Sequence, residues 1–208
     1  MIYVEDNFLP QKQFEELKTL ALKRFTKANG SKFRPGDEPV RITHHGADGK
    51  WEEGCRLLGP ESVPAALAVI KKFENLGVQN LTNWSVWFQY YAPDQDLGIH
   101  CDQALRYSTQ KNCYTCALYL SDWSEGMGGE FVSGQPVYED RGPQGYICVD
   151  LVEPRTIVEP LPNRLLIWSR DVWHKVNKVT VADPNYKRMF FGTGWSSIND
   201  NTVWKNVH

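Results

Sequence analysis

The second part of the chain, from Asn80 onward, is a succession of short apolar and aromatic runs. Runs such as TNWSVWFQYYA, CYTCALYL and RMFFGTGW are rich in β-branched and aromatic residues, which is typical of β-strands. Glycine, proline, asparagine and aspartate separate these runs, and no pattern of helical length interrupts them. The succession therefore predicts a mainly β protein whose antiparallel strands form a double-sheet barrel, a jelly roll.

The first part of the chain carries two helical patterns. In PQKQFEELKTLALKRF, residues 10–25, apolar side chains recur at the spacing of one helical face. A second helix is predicted over ESVPAALAVIKKFENLG, residues 61–77, where Pro64 lies near the first turn and Gly77 can end the helix. Residues 26–60 are rich in glycine, proline and charge, and we expect a long loop there, either ordered across a pocket mouth or solvated.

The length of 208 residues predicts a single domain, with supporting helices and loop in 1–80, a jelly-roll core in 81–197 and a tail in 198–208. The net charge of -2 and the lack of a long basic run argue against nucleic acid or a membrane as partner. There is no signal-peptide pattern, no apolar run near the ~20 residues of a membrane helix, and no disulfide spacing among the five cysteines. We therefore expect a cytoplasmic protein, whose oligomeric state the sequence does not indicate.

The stretch GIHCDQ contains the first candidate metal ligands, His100 and Asp102. On a strand, residues two apart point to one face, so these two side chains would project together while Cys101 faces away. His174, after the predicted strand RLLIWS, supplies a third ligand. Two imidazoles and one carboxylate form the ligand set of non-haem Fe(II) oxygenases, whereas an ordinary surface His–Asp pair is the alternative. The remaining histidines are expected to be solvated, in the loop or at the terminus: His44, His45 and His208.

Arg188 begins the run RMFFGTGW and is a candidate for binding a 2-oxo acid. Such an acid, when bound to iron, needs a cation for its far carboxylate, and the planar arginine side chain can bind a carboxylate through two hydrogen bonds. If HKVNKV and RMFFGTGW form a hairpin, residues 178–185 must bulge out for Arg188 to lie near His174. The alternative is a surface arginine on an edge strand.

The pair Cys113 and Cys116, in CYTC, has the spacing of some redox and zinc motifs. On a strand, however, residues three apart face opposite sides, so the two thiols cannot easily converge. We therefore expect both cysteines to pack in the core.

Residues 83–195 resemble the Fe(II)/2-oxoglutarate-dependent dioxygenases, most closely the prolyl 4-hydroxylase type. The resemblance rests on segments in a fixed order: YYAPDQDLGIHCD, CYTCALYLSDW, GGEF, RLLIWS, and HKV with RMFFGTGW, the last two matched as a His-to-Arg hairpin. It implies a double-stranded β-helix and an iron site formed by His100, Asp102 and His174. Halogenating relatives lack the carboxylate, so Asp102 argues for hydroxylation.

The resemblance also implies how 2-oxoglutarate is bound. Arg188 would bind its far carboxylate, and the hydroxyl of Tyr119 would share that carboxylate, although Tyr119 could instead be a plain core aromatic. Tyr91 matches a tyrosine near the pocket entrance, with a shift to the adjacent Tyr90 as the alternative. The spacing of 14 residues between His174 and Arg188 exceeds that of the closest prolyl hydroxylases.

The implied reaction is the hydroxylation of an unactivated C–H bond. Fe(II) is the cofactor, 2-oxoglutarate and O2 are consumed, succinate and CO2 are released, and ascorbate is a candidate reductant. A prolyl residue of a peptide or protein is the favoured substrate. The alternatives are a free amino acid or other small molecule, a nucleic-acid base, against which the acidic balance counts, and a non-catalytic jelly-roll binding module.

Substrate contacts are the least readable feature of the sequence. The candidates are basic and aromatic residues of the long loop, of the segment after the metal motif and of the barrel mouth, each with a packing or solvated role as the alternative: Arg41, Trp51, Arg106, Tyr107, Trp173 and Trp195.

Overall fold

Two antiparallel sheets face each other, and helices cover the outer side of the larger sheet. The computed structural model describes residues 1–28, 40–46, 50–78, 81–102, 113–142 and 145–197. Its helices are α1 (Gln11–Ala28), α2 (Trp51–Leu58) and α3 (Ser62–Asn75). Its strands are β1 (Ile2–Glu5), β2 (Val40–Gly46), β3 (Leu81–Tyr91), β4 (Leu97–His100), β5 (Cys113–Tyr119), β6 (Phe131–Asp140), β7 (Tyr146–Val158), β8 (Leu165–Ser169), β9 (His174–Val176) and β10 (Arg188–Ser197).

The strand order identifies the barrel. The larger sheet has the order β1-β8-β5-β10-β3-β2 and the smaller sheet the order β4-β9-β6-β7. Between β3 and β10 the chain passes repeatedly from one sheet to the other. Strands β3, β5, β8 and β10 lie in the larger sheet, and β4, β6, β7 and β9 lie in the smaller one. This is the double-stranded β-helix, and the predicted fold class is confirmed.

Alternation along β3 and β10 separates two hydrophobic clusters. On β3, Phe88 and Tyr90 face the helices and contact Phe25 of α1. On the opposite side of β3, Trp87 and Tyr91 belong to the second cluster, which fills the space between the sheets. We call that space the barrel interior. Because neighbouring residues of a strand point in opposite directions, the sequence position alone decides which side chains enter it.

The two predicted helices are confirmed. Helix α1 covers the predicted 10–25 pattern and extends it by three residues, to Ala28. Helix α3 ends before Gly77, whose φ of +76° is the left-handed conformation that glycine adopts at helix ends. Among the described helices, none combines the length and the apolar character that a transmembrane span requires.

The expectation of a loop over residues 26–60 is wrong for its described parts. Val40–Gly46 forms β2, which pairs with β3 at the edge of the larger sheet, and Trp51–Leu58 forms α2. On an edge strand half of the side chains face solvent, so VRITHHG is polar enough to resemble a loop. Helix α2 spans only two turns, too few for a clear periodicity. Residues 29–39 and 47–49 lie outside the described residues.

Strands β6 and β7 are longer than the sequence patterns indicate. Within β6, only Phe131–Ser133 pairs with β9. Strands β6 and β7 pair with each other well beyond that point, as far as Asp140 and Tyr146. We call the part of this pair beyond the contact with β9, residues 135–142 and 145–152, the arm. It carries a group of exposed apolar side chains: Val137, Tyr138, Tyr146, Ile147, Val149 and Val152.

The expected hairpin between HKVNKV and RMFFGTGW is wrong. Strand β9 pairs with β4 and β6, whereas β10 pairs with β3 and β5 in the other sheet. Residues 177–187 therefore cross from one sheet to the other instead of bulging from a hairpin. Val179 fastens the crossing, because its amide donates to the Gln95 carbonyl at 2.9 Å and its carbonyl accepts from the Asp94 amide at 2.8 Å.

The cysteines show how alternation along β5 works. Cys116 packs in the helix-side cluster, and Cys113, three residues away, is also buried. Both thiols are buried and neither forms a disulfide, so the expectation of core packing for this pair is confirmed.

We expect thiol reagents to distinguish the buried cysteines from the others. Burial raises the pKa of both Cys55 and Cys116 to about 12, so these thiols stay protonated and unreactive at about pH 8. Alkylation of the native protein should modify only Cys101 and Cys148, and peptide mapping by mass spectrometry should find Cys113 labelled only after denaturation. Labelling of Cys116 at the rate of Cys148 in the native protein would contradict the fold.

Candidate active site

Three candidate metal ligands converge at one end of the smaller sheet. His100 is the last residue of β4 and pairs in register with His174, the first residue of β9. Their ring centroids lie 4.3 Å apart, and one ligand atom from each of His100, Asp102 and His174 lies within 4.8 Å of the others. Asp102 is not on the strand as predicted but in a bend two residues beyond its end. Its carboxylate nevertheless points to the same place as the two imidazoles.

Backbone carbonyls orient both imidazoles. Nδ1 of His100 lies 2.8 Å from the Gly98 carbonyl, and Nδ1 of His174 lies 2.9 Å from the Val172 carbonyl. A carbonyl oxygen can only accept, so each Nδ1 carries the proton and each Nε2 presents a free lone pair. Burial lowers the pKa of His174 and thereby favours the neutral form that binds metals.

Asp102 is held in place through one of its two oxygens. Oδ2 accepts hydrogen bonds from the Thr115 hydroxyl at 2.7 Å and the Trp168 indole at 2.9 Å. Oδ1 is left to face Nε2 of His100, 3.6 Å away. Burial by itself raises the pKa of Asp102, but the neighbouring imidazoles of His100 and His174 and the hydrogen bond from Thr115 outweigh it and hold that pKa well below its usual range. The carboxylate is therefore ionised and offers one oxygen to a metal.

Arg188 is a buried cation without a carboxylate partner in the described parts of the chain. It is 2% exposed, and its guanidinium carbon lies 5.1 Å from the ring centroid of Tyr91 and 5.0 Å from that of Tyr119. None of the described acidic side chains lies within ion-pair distance, and its Nε has no hydrogen-bond partner. Because an uncompensated buried charge is costly, the arrangement is that of a site for an anion.

The two tyrosines beside Arg188 come from the two neighbouring strands. Tyr91 on β3 is the direct register partner of Arg188, whereas Tyr119 on β5 pairs with Phe190. Burial raises the pKa of Tyr91 to about 12 and also raises that of Tyr119, with Arg188 opposing the shift in both cases. Both hydroxyls therefore stay protonated and can donate. Tyr90 faces the helices, so the structure brings Tyr91 and not Tyr90 to this site.

The glycine pair in GGEF shapes the space around Arg188. A Cβ on Gly129 would lie 2.5 Å from Cδ of Arg188 and 2.8 Å from its Nε, closer than non-bonded atoms approach. A Cβ on Gly128 would likewise meet the Lys178 carbonyl. Gly129 also has a φ of +80°, so both the conformation and the contact favour glycine there.

The candidate substrate contacts fall into three groups. Trp51 and Trp195 contact each other edge to face on the helix side of the larger sheet. The expected place of Trp195 at the barrel mouth is therefore wrong, and Trp51 begins α2 instead of lying in a loop. Arg41 lies over the indole of Trp87, and Trp173 contacts Tyr138 of the arm. Two further candidates lie outside the described residues: Arg106 and Tyr107.

The other histidines do not join the metal cluster. His44 and His45 lie on β2 and not in a loop, His44 half-buried and His45 exposed. His208 lies outside the described residues.

Several site residues were not identified from the sequence. Thr115 and Trp168 bind Asp102 from two strands of the opposite sheet, and no local motif marks them. Trp168 offered one signal, because an indole N–H in a buried strand needs an acceptor. For Thr115, only its alternation with Ala117 and Tyr119 on β5 places it toward the barrel interior.

Comparison with known proteins gives a family and a set of similar folds. The model of the 2OG-Fe(II) oxygenase superfamily matches residues 86–196, just over half of the chain. Curated protein sequences give no match.

Solved structures of similar fold include two prolyl hydroxylases. That of a Pseudomonas putida prolyl-4-hydroxylase has a TM-score of 0.60 at 16% identity, covering 94% of this chain and 92% of that one. A Trichoplax adhaerens prolyl hydroxylase, in complex with a hypoxia inducible factor peptide fragment, has a TM-score of 0.59 at 16% identity, covering 99% and 87%.

A third similar structure contains the co-substrate. HygX from Streptomyces hygroscopicus, with nickel and 2-oxoglutarate bound, has a TM-score of 0.66 at 12% identity and covers 95% of this chain and 83% of that one. The family match, supported by the fold and by the ligand set on β4 and β9, establishes that the chain belongs to the 2-oxoglutarate–Fe(II) oxygenase superfamily and is a dioxygenase that uses Fe(II), 2-oxoglutarate and O2.

Proposed function

We propose that the enzyme hydroxylates a prolyl residue of a peptide or protein, with specific roles for the residues described above. His100, Asp102 and His174 bind Fe(II). Arg188 and Tyr119 bind the far carboxylate of 2-oxoglutarate, and Tyr91 lies beside them.

The donor set supports the metal assignment. Two imidazole nitrogens and one carboxylate oxygen, all directed to the same place, are the ligands expected for Fe(II) in an oxygenase with open coordination positions. The five free cysteines contribute no thiolate to this cluster, which distinguishes it from a closed structural zinc site.

The buried, unpaired guanidinium of Arg188 is the observation that carries the co-substrate assignment. 2-Oxoglutarate has two carboxylates, and the one remote from the iron would compensate this charge. Tyr119, whose hydroxyl stays protonated, can donate a further hydrogen bond to the same carboxylate. The ring stacking around Arg188 fixes the guanidinium and reduces the entropy lost on binding.

The protein's contribution to the chemistry is orientation and exclusion of water. Iron with 2-oxoglutarate and O2 supplies the oxidising power for C–H hydroxylation. Phe131 stacks on His174 at a centroid distance of 4.9 Å, and Trp168 contacts the same imidazole edge to face. These aromatic rings keep the ligand rigid and the interior dry, so the reactive centre meets only the bond that the substrate presents.

A polypeptide substrate is supported by the arm and by the similar folds. The arm exposes apolar side chains, Tyr146 to 70% and Tyr138 to 43%, and Tyr138 contacts Trp173, the residue before His174. Exposed apolar groups beside an active site are typical of a surface that binds another molecule. Two structures of similar fold are prolyl hydroxylases, one of them with a peptide.

The proposal includes the conditions under which the enzyme works. Five free cysteines fit a reducing compartment, and we place the enzyme in the cytoplasm. The use of ascorbate as a reductant stays a prediction.

The metal and co-substrate roles are tested by absorption spectroscopy under anaerobic conditions. Fe(II) and 2-oxoglutarate should together give the protein a weak visible charge-transfer band, because the keto acid chelates a ligated iron. His174→Ala should lose the band, whereas His45→Ala, an exposed histidine on β2, should keep it. A wild-type protein without the band would refute the proposed roles.

The role of Tyr119 predicts a specific kinetic defect. Removing its hydroxyl in Tyr119→Phe should raise the KM for 2-oxoglutarate about tenfold, since a hydrogen bond to a charged group contributes roughly 1.5–3 kcal/mol. Tyr90→Phe removes the same atom on the helix side of β3 and should change this KM by less than about twofold. The measurement is succinate formation at varied 2-oxoglutarate, and equal effects of the two variants would contradict the assignment.

Gly129 allows a matched test of how Arg188 is positioned. Gly129→Ala should displace the Arg188 side chain and raise the KM for 2-oxoglutarate by an order of magnitude. Gly126 has a similar φ of +87°, but a Cβ there meets nothing within 4 Å. Gly126→Ala should therefore cause only the backbone strain, which lowers the free energy of unfolding by about 1–2 kcal/mol in thermal unfolding, without the increase in KM. Indistinguishable KM values in the two variants would show that Gly129 does not position Arg188.

A further inference from the structure

The proposed function gives no role to one arginine that lies within electrostatic reach of Asp102. Arg41, on β2, has its guanidinium carbon 4.1 Å from the ring centroid of Trp87. We propose that Arg41 binds a carboxylate of the substrate, so that the substrate carries a negative charge close to the carbon that is hydroxylated. The inference rests on the proposed function, because it concerns the substrate of the same site.

Strand β3 connects Arg41 to the active site. Arg41 pairs in register with Gln89, whose side-chain amide donates to the Tyr91 hydroxyl at 3.1 Å. Trp87, Gln89 and Tyr91 are two residues apart from one another, so all three point to the same side of the strand. Tyr91 contacts Arg188. Arg41 therefore lies at the solvent end of a row of side chains that leads to the co-substrate arginine.

Trp87 gives Arg41 a fixed platform. A Cβ on Gly192 would lie 2.0 Å from the indole of Trp87, so the ring occupies the space that any other residue would fill on β10. Only 5% of Trp87 is exposed. A guanidinium that lies on a rigid aromatic face keeps its hydrogen-bond donors available at its edge, which is where a carboxylate binds.

Arg41 has no ion-pair partner in the described parts of the chain. Other arginines are neutralised locally: Arg56 pairs with Glu52, Arg155 with Asp150, and Arg164 with acidic groups near the first strand. Arg41 keeps part of its surface in solvent, although burial of its guanidinium lowers its pKa, and that guanidinium lies on the ring of Trp87. Its charge is thus available to a ligand at the mouth of the barrel.

The charge balance of the loaded site favours an anionic group at Arg41. The charge of Asp102 raises the pKa of Arg41, whereas the charge of Arg170, a second cation in this region, lowers it. With iron and co-substrate bound, the positive charges of Fe(II) and Arg188 would balance the negative charges of doubly ionised 2-oxoglutarate and Asp102. Asp102 then cannot also neutralise Arg41. A carboxylate of the substrate would neutralise Arg41 instead.

The carboxylate can come from three sources that share this chemistry. It can be the α-carboxylate of free proline, the C-terminal carboxylate of a peptide that ends in proline, or an acidic side chain next to an internal prolyl residue. All three place a carboxylate within a few bonds of the prolyl ring. An internal prolyl residue with neutral neighbours lacks it.

The test uses pairs of compounds that differ only in this charge. The pairs are L-proline and L-prolinamide, N-acetyl-glycyl-proline and its C-terminal amide, and an internal prolyl peptide with aspartate or asparagine beside the proline. Substrate-dependent succinate formation gives kcat/KM for each compound in the wild type, Arg41→Gln, Arg41→Lys and Arg56→Gln. Arg56 is an exposed arginine on α2, so its variant is the control for loss of one surface charge.

We expect the acid of at least one pair to exceed its amide about tenfold or more in kcat/KM, because a guanidinium–carboxylate contact is charge-assisted. Arg41→Gln should lower the acid to the level of the amide, Arg41→Lys should restore part of the difference, and Arg56→Gln should behave as wild type. The pair with the largest ratio identifies the source of the carboxylate.

Three results would overturn the inference: equal values for acid and amide in every pair, an acid preference that persists in Arg41→Gln, or no stimulation by any acid. In each case the visible band with Fe(II) and 2-oxoglutarate, measured on the same wild-type protein, would still support the proposed iron and co-substrate roles. Loss of that band would instead refute the proposed function itself.

Discussion

Strict alternation of side chains along β3, β5 and β10 is the constraint on which the rest of the structure depends. These central strands of the larger sheet are buried on both faces, so each residue belongs either to the helix-side core or to the barrel interior. A shift by one residue would exchange the two sets and send Tyr90 into the interior in place of Tyr91. The helices contribute indirectly, since packing Phe25 against Phe88 and Tyr90 keeps the sheet in that register.

The barrel interior is built around a charge that the described protein groups do not neutralise. Taking a guanidinium out of water costs several kcal/mol when no counter-charge accompanies it. The aromatic rings around Arg188 offset part of that cost, and a bound carboxylate would offset more. Binding of a dicarboxylate should therefore stabilise the folded protein as well as prepare it for reaction. The glycine turn at Gly129 is part of the same arrangement, because it leaves the volume that the side chain occupies.

The sequence predicts the chemical groups of the site better than their spatial arrangement. His100, Asp102, His174 and Arg188 could be found because each stands at the end of a strand-like run, and the runs follow the order of a known family. Their positions depend on pairing between distant strands, which no local pattern encodes. For this reason β9 and β10 were expected in one hairpin, although they lie in opposite sheets.

The same limit explains the errors in the first part of the chain and at the substrate contacts. Strand β2 is stabilised by pairing with β3, whose partner residues lie 38 to 50 positions further along the chain, and its own composition is that of a loop. Trp195 was expected at the barrel mouth, which is wrong. Trp195 lies an odd number of residues from Arg188 on β10, so the two side chains point to opposite faces of the strand. The helix-side position of Trp195 can therefore be deduced only once it is known that Arg188 faces the barrel interior.

Two arginines of the larger sheet illustrate how burial divides tasks between identical side chains. Arg188 is enclosed, so its ligand must enter before anything covers the mouth, and the cost of leaving it empty favours early occupation by a dianion in each turnover. Arg41 is more exposed than Arg188, so leaving it without a ligand costs less and its ligand can exchange with each turnover. Geometry and solvation together therefore favour an order in which the co-substrate binds first, to the buried cation, and the substrate second, to the exposed one.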